Sequence, residues 1–290
     1  KSWLFGHFGY EFTHVSDTKE KDNEHEVIFG DGFFFIPEIL ISLRNNEISI
    51  ECTGSLPGSI FEEIQSCSPF IEKTNDAAIT LQHGISSSEY KNRLQSIKKH
   101  ILRGDCYEIN FCQSFFARDT VIDPFYFYTA LVALSPNPFS AFYRLNDRFC
   151  LCASPERFLK KTGETIISQP IKGTAKRNLT DKAVDELNRQ YLAGSVKEKS
   201  ENVMIVDLVR NDLSKVCKKG SVQVKELFGI YSFPQVHQMI SSIEGKVDSL
   251  TDWTDIIKAC FPMGSMTGAP KKKVMELIDN YEQFPRGLFS

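Results

Sequence analysis

In the run QPIKGTAKR, a lysine follows Pro170 by two residues and directly precedes Gly173, so that turn-forming residues flank it. Pro170 cannot donate a hydrogen bond within a central ladder, and Gly173 lets another group come close to the chain. The run therefore predicts a strand end that faces a cavity, with Lys172, Thr174 and Lys176 on one side by the two-residue alternation of a strand. Taken alone, a lysine in a short polar strand is also typical of a solvated charge on a sheet edge.

Strand-like and helix-like runs are mixed along the chain without a regular βαβ repeat. Hairpins are predicted over 139–152 and 160–167, where two strand-like runs flank a tight turn. A capping box at Ser86 predicts a helix that ends at Gly104. Further helices are predicted to begin at Thr180 and behind Glu198, and a long strand is predicted over 236–247. Hairpins interleaved with helices favour an α+β fold with antiparallel sheets.

Composition excludes several classes of protein. Of the 290 residues, 41% are hydrophobic and 24% are charged, which is typical of a globular enzyme. A net charge of −3 without a long basic run argues against nucleic acid as a partner. No apolar stretch approaches the length of a membrane span and no signal sequence is recognised at the start, so a cytosolic protein is expected. The eight cysteines form no CxxC pair, which argues against a zinc site or a disulfide framework.

Three more segments combine unusual residues: ASPERF begins at Ala153, EKSENVMIVDLVRND begins at Glu198, and GSMTGAPK begins at Gly264. Together with PIKGT, they resemble the motifs of the chorismate-utilising enzymes. Within that family, the similarity is greatest to the subunits that aminate chorismate in the 4-aminobenzoate pathway, and it extends from about Trp3 to the last residue.

This resemblance implies the family's fold, a large antiparallel two-sheet sandwich flanked by helices. It also implies one chorismate-binding domain over residues 1–290, with a partial N-terminal subregion at 1–75 and a catalytic core at 76–290. The acidic run from Asp17 to Glu26 is predicted to be a mobile surface loop.

Lys172 is the nucleophile that the resemblance implies. In the aminating enzymes, the lysine at this place attacks ring carbon C2 of chorismate as the C4 hydroxyl leaves, and ammonia then adds at C4 and expels the lysine. A free lysine titrates at about 10.4, so burial or nearby cations such as Lys176 and Arg177 are expected to favour its neutral form. Anthranilate synthases have alanine at this position, which makes Lys172 the residue that discriminates between the two activities.

Glu156 follows a Ser-Pro turn, at a place where a hairpin partner can return toward Lys172. A carboxyl group there would act as the general acid for the departing hydroxyl, which leaves poorly unless it is protonated or bound to metal. Taken alone, the tripeptide also fits a surface ion pair of Glu156 with Arg157 or Lys160. The family resemblance favours the catalytic role.

Glu198 and Glu201 are three residues apart in a predicted helix, so that both carboxylates project from one face. Magnesium favours one or two carboxylates together with waters and substrate oxygens. The resemblance implies that Glu201, and with less specificity Glu198, binds this ion. A solvated, exposed turn is the alternative reading of the same residues.

GSMTGAPK precedes a predicted helix, and the backbone N–H groups at a helix start bind anions such as the carboxylates of chorismate. With the resemblance, this predicts that Gly264, Ser265, Thr267 and Gly268 bind substrate. A glycine-rich helix cap without a ligand is the alternative.

Two further residues receive roles from the resemblance. Thr174 is expected to hydrogen-bond the substrate, and His237 is expected to lie close to the substrate ring as a catalytic residue, although strand histidines are often satisfied core groups. Glu108 departs from the pattern, because related aminating enzymes usually have glutamine there. The water-adding relatives, isochorismate and salicylate synthases, have a basic lysine near this place, and its absence argues against their reaction.

The expected partners follow from what the chain lacks. No amidotransferase motif occurs, so ammonia is expected to arrive free or from a separate glutamine amidotransferase subunit, as in the family. The family also has a segment after the position of Ser290, with a second metal-binding glutamate and a carboxylate-binding arginine, so an incomplete active site is expected here. Anthranilate synthesis, a non-catalytic metabolite-binding role and a cofactor aldehyde held on Lys172 are the alternatives to amination.

Overall fold

The computed structural model describes residues 3–13, 27–68 and 79–289. The acidic run from Asp17 to Glu26 and the predicted subregion boundary at 75–76 lie outside these residues. Within the described part of the chain, no helix is long and apolar enough to cross a bilayer.

Short strands dominate the order of elements. The strands are β1 Phe5–Phe8, β2 Gly32–Phe35, β3 Ile39–Arg44, β4 Glu47–Cys52, β5 Gln82–His83, β6 Glu108–Ile109, β7 Phe115–Phe116, β8 Phe139–Leu145, β9 Arg148–Ser154, β10 Arg157–Thr162, β11 Thr165–Gln169, β12 Ile171–Lys176, β13 Gln223–Ser232, β14 Val236–Lys246 and β15 Gly268–Ala269. The helices are α1 Pro57–Ser66, α2 Ser87–Leu102, α3 Pro124–Leu134, α4 Lys182–Gly194, α5 Val196–Ser214, α6 Trp253–Cys260, α7 Gly264–Thr267 and α8 Lys271–Tyr281.

One five-stranded antiparallel sheet is built around β14. Strand β13 pairs along one edge of β14, while β11 and β12 pair one after the other along its second edge. Pro170 separates β11 from β12, where its missing N–H costs no ladder bond, and its carbonyl oxygen accepts a hydrogen bond from Ser241 N (3.2 Å). The prediction of helices mixed with antiparallel strands is confirmed. The remaining strands among the described residues form two-stranded pairs, so the second large sheet of the predicted sandwich is not confirmed.

A β-bulge in β12 changes which residues share a face of the sheet. Ile171 is opposite Ile240 and Thr174 is opposite Gln238, so the two β12 residues lie on the same face despite their spacing of three. The extra residue falls at Lys172–Gly173, and Gly173 has a positive φ of 101°. The predicted alternation that placed Lys172 on one side with Thr174 and Lys176 is therefore wrong.

Helix α5 packs across the sheet and forms the main core. Its apolar residues contact those of β11, β14 and α6 in a buried cluster that contains Ile166, Ile205, Val206, Val209, Leu213, Ile243, Val247, Ile256 and Cys260. Asn202 extends this contact with polar groups, because its Nδ2 donates to the carbonyl oxygens of Lys172 (3.3 Å) and Met239 (3.4 Å). The start of α5 is thereby fixed beside the bulge of β12.

A second buried cluster links α8 to the N-terminal strand region and contains Tyr10, Cys106, Val274, Leu277 and Ile278. Arg286 lies over the Tyr10 ring (4.6 Å) and forms a buried ion pair with Glu282. The same guanidinium donates to the carbonyl oxygens of Met266 and Asn110, each at 2.7 Å. These contacts hold β6 against α7.

Local sequence signals identified several elements correctly. The predicted hairpins correspond to β8–β9 and β10–β11, and the predicted long strand is β14. Ser86 caps α2, with its Oγ accepting from Glu89 N at 3.2 Å. Helix α4 begins at Lys182, two residues after the predicted start, because the Asp181 side chain caps it. All eight cysteines are free, but only Cys106 and Cys260 are buried.

Asp212 offers a test of the contact between α5 and α8. Its buried carboxylate accepts from Lys271 Nζ at 2.8 Å, and burial lowers the pKa of Lys271. Asp212→Asn leaves this ammonium without its anion, and we expect the free energy of unfolding to fall by about 3 kcal/mol. Urea unfolding followed by circular dichroism measures the change.

Asp207→Asn is the matched control on the same helix. Asp207 pairs with Arg210, and both side chains are more than half exposed. We expect this control to change the free energy by less than about 1 kcal/mol. Equal losses in the two variants would contradict the assigned role of Asp212.

Candidate active site

The bulge of β12 directs Lys172 into a group of acidic side chains. Its ammonium forms an ion pair with Glu108 of β6, and the two side chains are only 19% and 15% exposed. Lys172 is thus not in bulk solvent. The expected cationic neighbours are not its partners here, since Arg177 instead pairs with Asp185 at 2.9 Å. The side chain that contacts Lys172 is an anion.

Glu156 lies beside the same strand. Its Oε1 accepts hydrogen bonds from Ser265 Oγ (2.8 Å) and from the backbone N–H of Ile171 (3.1 Å), the residue before Lys172. Burial raises the pKa of Glu156, and the two hydrogen bonds and the Lys172 charge only partly oppose this effect. A carboxyl group in this environment holds its proton to a higher pH than an exposed glutamate does.

Glycine is required at 173 because of its neighbours. A Cβ atom on Gly173 would lie 3.1 Å from Glu198 Cβ and 3.3 Å from Leu192 Cδ1, and the positive φ disfavours any other residue. Helix α5 can therefore approach the backbone directly after Lys172. This approach places Glu198 at the bulge.

Glu198 and Glu201 converge on one cation. Both Oε1 atoms lie 3.2 Å from Lys197 Nζ, so the ammonium occupies a position between two carboxylates of the same helix face. Among the residues that the structure describes, no three His, Cys, Asp or Glu side chains form a metal-binding group. Two carboxylates with open positions fit magnesium, which retains several waters, better than an ion that requires a complete protein cage.

The segment from Gly264 to Ala269 forms α7 and β15 before α8 begins, so it is more than a cap of α8. Ser265 reaches the site through its hydrogen bond to Glu156. Thr267 is fully buried, and its hydroxyl donates to the carbonyl oxygens of Met263 (3.3 Å) and Gly264 (3.2 Å) within the segment. Its described contacts are structural.

Gly268 brings β6 to the site. It has a φ of 140°, and a Cβ atom there would lie 2.1 Å from the carbonyl oxygen of Glu108. Strand β15 pairs directly with β6, with Ala269 opposite Glu108. This close backbone contact fixes the position of Glu108, whereas a Cβ atom on Gly264 would lie 3.3 Å from Leu208 Cβ.

His237 is buried under α4 with both ring nitrogens engaged. Nδ1 contacts Ser232 Oγ at 2.8 Å, and Nε2 contacts Asp185 Oδ1 at 3.1 Å. The Arg177 guanidinium beside Asp185 holds the pKa of that carboxyl at about 2, with burial opposing the shift. These contacts fit an orienting role for His237. Thr174 is exposed and lies opposite Gln238, directly after the bulge.

Glu156 thus contacts Ser265 and the residue before Lys172, and Glu198 lies beside the residue after it. The structure adds Glu108 as the direct partner of Lys172, a position that the sequence marked only as an unusual glutamate. The roles of Thr174 and His237 at the substrate stay predictions.

Comparison with known proteins adds independent findings. A family model described as chorismate binding enzyme matches residues 1–290. Aminodeoxychorismate synthase component 1 of Klebsiella aerogenes is 41% identical over 198 residues, which cover 68% of this chain and 44% of the relative. Anthranilate synthase alpha subunit 2, chloroplastic, of Oryza sativa subsp. japonica is 38% identical over 206 residues, or 71% of this chain and 34% of the relative. The chain thus spans less than half the length of these relatives.

A solved structure has the same fold. Anthranilate synthase component I from Streptococcus pneumoniae TIGR4 matches with a TM-score of 0.86 and 23% sequence identity. The match covers 99% of this chain and 67% of that chain. At this identity the likeness concerns the fold alone.

The burial of Glu156 predicts a pH-dependent contribution to stability. A carboxyl group whose pKa is raised by folding stabilises the protein fully below its ordinary value of 4.5, and this contribution is lost as the pH rises through the folded-state pKa. Glu156→Gln keeps an oxygen acceptor for Ser265 and Ile171 but cannot ionise. We therefore expect the stability of the native protein relative to this variant to fall as the pH rises from 4.5 through the raised folded-state pKa of Glu156.

Urea unfolding at several pH values measures this difference. Glu164→Gln is the control, because the Glu164 side chain is half exposed and pairs with Lys218 at 3.0 Å. A difference between native protein and Glu156→Gln that does not change with pH would contradict the raised pKa.

Proposed function

The chain belongs to the chorismate-binding enzyme family, and we propose that within this family it transfers an amino group from ammonia to chorismate, giving 4-amino-4-deoxychorismate. The enclosure of Lys172, which pairs with Glu108 and lies close enough to Glu156 for its charge to act on that carboxyl group, carries the proposal. An enclosed lysine in reach of a proton acceptor and a proton donor is the arrangement that a nucleophilic amine needs. Because the chain spans less than half of its relatives, the activity of the whole protein is part of this proposal.

In the proposed reaction, the nitrogen of Lys172 attacks ring carbon C2 as the C4 hydroxyl departs. Glu156 donates the proton that converts this hydroxyl to water, a role that its raised pKa supports. General acid catalysis of this kind contributes roughly 10²–10⁴-fold to a rate. Ammonia then adds at C4, and the bond from C2 to the lysine nitrogen breaks.

Ser265 and the N–H of Ile171 hold Glu156 in position for this step. Both bonds go to Oε1, which leaves Oε2 to carry the proton toward the leaving group. Gly173 keeps the start of α5, with Glu198, close to the strand that carries Lys172.

Glu198 and Glu201 would hold a magnesium ion, since their carboxylates already converge on one cation position. The ion, when bound, would neutralise the negative charge of a substrate carboxylate. The ammonium of Lys197 is the group that the ion would displace.

Anthranilate synthesis is the second candidate, because anthranilate synthase subunits are among the relatives. Lys172 favours amination at C4, since a nucleophile at this position has no role in the alternative, where alanine is expected. The partner is also a proposal. The name component 1 in the bacterial relatives implies a second component, and a glutamine amidotransferase that supplies ammonia fits the absence of an amidotransferase motif.

Lys172→Ala tests the proposed nucleophile in the full-length protein. We expect the rate of ammonium-dependent chorismate consumption to fall by about three orders of magnitude or more, because the covalent route is removed. The product is identified by chromatography and mass spectrometry. Anthranilate as the product of the native protein would contradict the proposal, and an absorbance band of the purified protein would indicate a cofactor aldehyde.

Lys176→Ala is the matched control for this experiment. Lys176 lies on the same strand and is exposed, so its removal is expected to leave the rate essentially unchanged. A loss as large as that of Lys172→Ala would show that general charge, and not the nucleophile, matters at this strand.

Magnesium binding is tested with Glu201→Gln. Loss of one of two carboxylates should raise the magnesium concentration needed for half-maximal activity by at least about tenfold. Lys197→Ala should lower it, because the competing ammonium is removed. Isothermal titration with magnesium measures binding separately from activity, and unchanged binding in both variants would exclude this site.

A further inference from the structure

The proposed amination requires an uncharged amine at Lys172, which forms an ion pair with Glu108. An ammonium has no electron pair with which to attack a carbon atom, so the nucleophile must first lose a proton. The acceptor must lie within hydrogen-bond reach of Nζ. Glu108 is the side chain in direct contact with it.

We propose that Glu108 is the catalytic base that takes the proton from Lys172 and later returns it. This inference rests on the proposed amination, and it gives a chemical role to the glutamate at this position. It concerns the residue that departs from the usual pattern of the aminating enzymes.

Glu156 is unsuited to the same task. Its environment favours the protonated form, and Oε1 is engaged with Ser265 and the Ile171 backbone. A group that delivers a proton to the departing hydroxyl cannot also accept one from the amine in the same step. The two carboxyl groups therefore have different roles, with Glu156 as the acid and Glu108, which contacts Lys172, as the base.

Besides Lys172, few groups stabilise the negative charge of Glu108. Its Oε2 is buried and has no hydrogen-bond partner among the described residues. A buried, unpartnered charge is unfavourable, and proton transfer within the pair replaces two charges by two neutral groups. Substrate that fills the site excludes water and favours this neutral pair further.

The backbone holds the base in a fixed position. Gly268 lies against the carbonyl group of Glu108, and Tyr107 N donates to Ala269 O at 2.8 Å. Asn110, two residues further, donates through Nδ2 to Ser265 O at 2.6 Å. The base and the Ser265 that positions the acid are thus joined by one short strand pair.

Glu108, Glu156 and Lys172 each regain their initial protonation state by the end of the reaction cycle. Glu108 takes a proton from Lys172, whose nitrogen bonds to C2 while the C4 hydroxyl leaves as water with the proton of Glu156. Ammonia adds at C4 and the bond between C2 and the lysine nitrogen breaks, which frees the neutral amine. The new C4 ammonium gives a proton to Glu156, and Glu108 returns its proton to Lys172. The sum is chorismate plus ammonia giving the amine and water.

Glu108→Gln in the full-length protein tests the base. Glutamine keeps the shape and an oxygen acceptor for Lys172 but cannot take up the proton. In single-turnover experiments without ammonia, we expect covalent attachment of the ring to Lys172, followed by intact-protein mass spectrometry, to slow by about 100-fold or more. The KM for chorismate should change little, and Glu108→Asp should retain more of the rate than Glu108→Gln.

Glu164→Gln is the control, since it alters another lysine–glutamate pair, at the turn between β10 and β11, and its attachment rate should equal that of the native protein. An unchanged or faster rate in Glu108→Gln overturns the inference, because a merely structural partner is replaced by glutamine without loss. If the native protein forms neither the adduct nor the aminated product, the proposed function itself fails. If the native protein is active and Glu108→Gln is equally active, only the role of Glu108 as the base is excluded.

Discussion

Strand β14 is hydrogen-bonded along both of its edges, and the arrangement of the candidate site depends on this pairing. Its second edge is shared by β11 and β12, so the chain must pass from one to the other without leaving the edge. Pro170 occupies the junction, and the bulge at Lys172–Gly173 follows at once. Because β14 is continuous, it holds the bulge of β12 in place. The bulge interrupts the alternation of side chains at Lys172.

Local signals in the sequence were sufficient for part of this fold. Tight turns and the Ser86 cap depend on residues close in the chain, and they identified two hairpins and α2. Strand β13, which was not predicted, lacks a clear alternation, because register shifts interrupt its pairing with β14. The bulge in β12 was missed for the same reason: the strict two-residue alternation assumes a regular ladder.

The site itself combines local and distant information. Glu198 and Glu201 could be placed on one helix face from their spacing alone, whereas the partner of Lys172 comes from a strand 64 residues earlier in the chain. That contact is created by the β6–β15 pair and by Gly268, whose φ and close backbone contact are consequences of tertiary structure. The sequence showed an unexpected glutamate at 108 but not what it touches. Glu108 and Glu156 have the same side chain, but tertiary packing gives them different environments.

Lys197 lies between the two carboxylates on the acidic face of α5. Two carboxylates one turn apart repel each other, and the ammonium that lies 3.2 Å from both supplies an internal counter-ion. The first turns of the helix are therefore neutralised by a side chain of the helix itself. A magnesium ion at the proposed site would have to replace this ammonium, so that the helix would exchange one counter-ion for another and not gain its first.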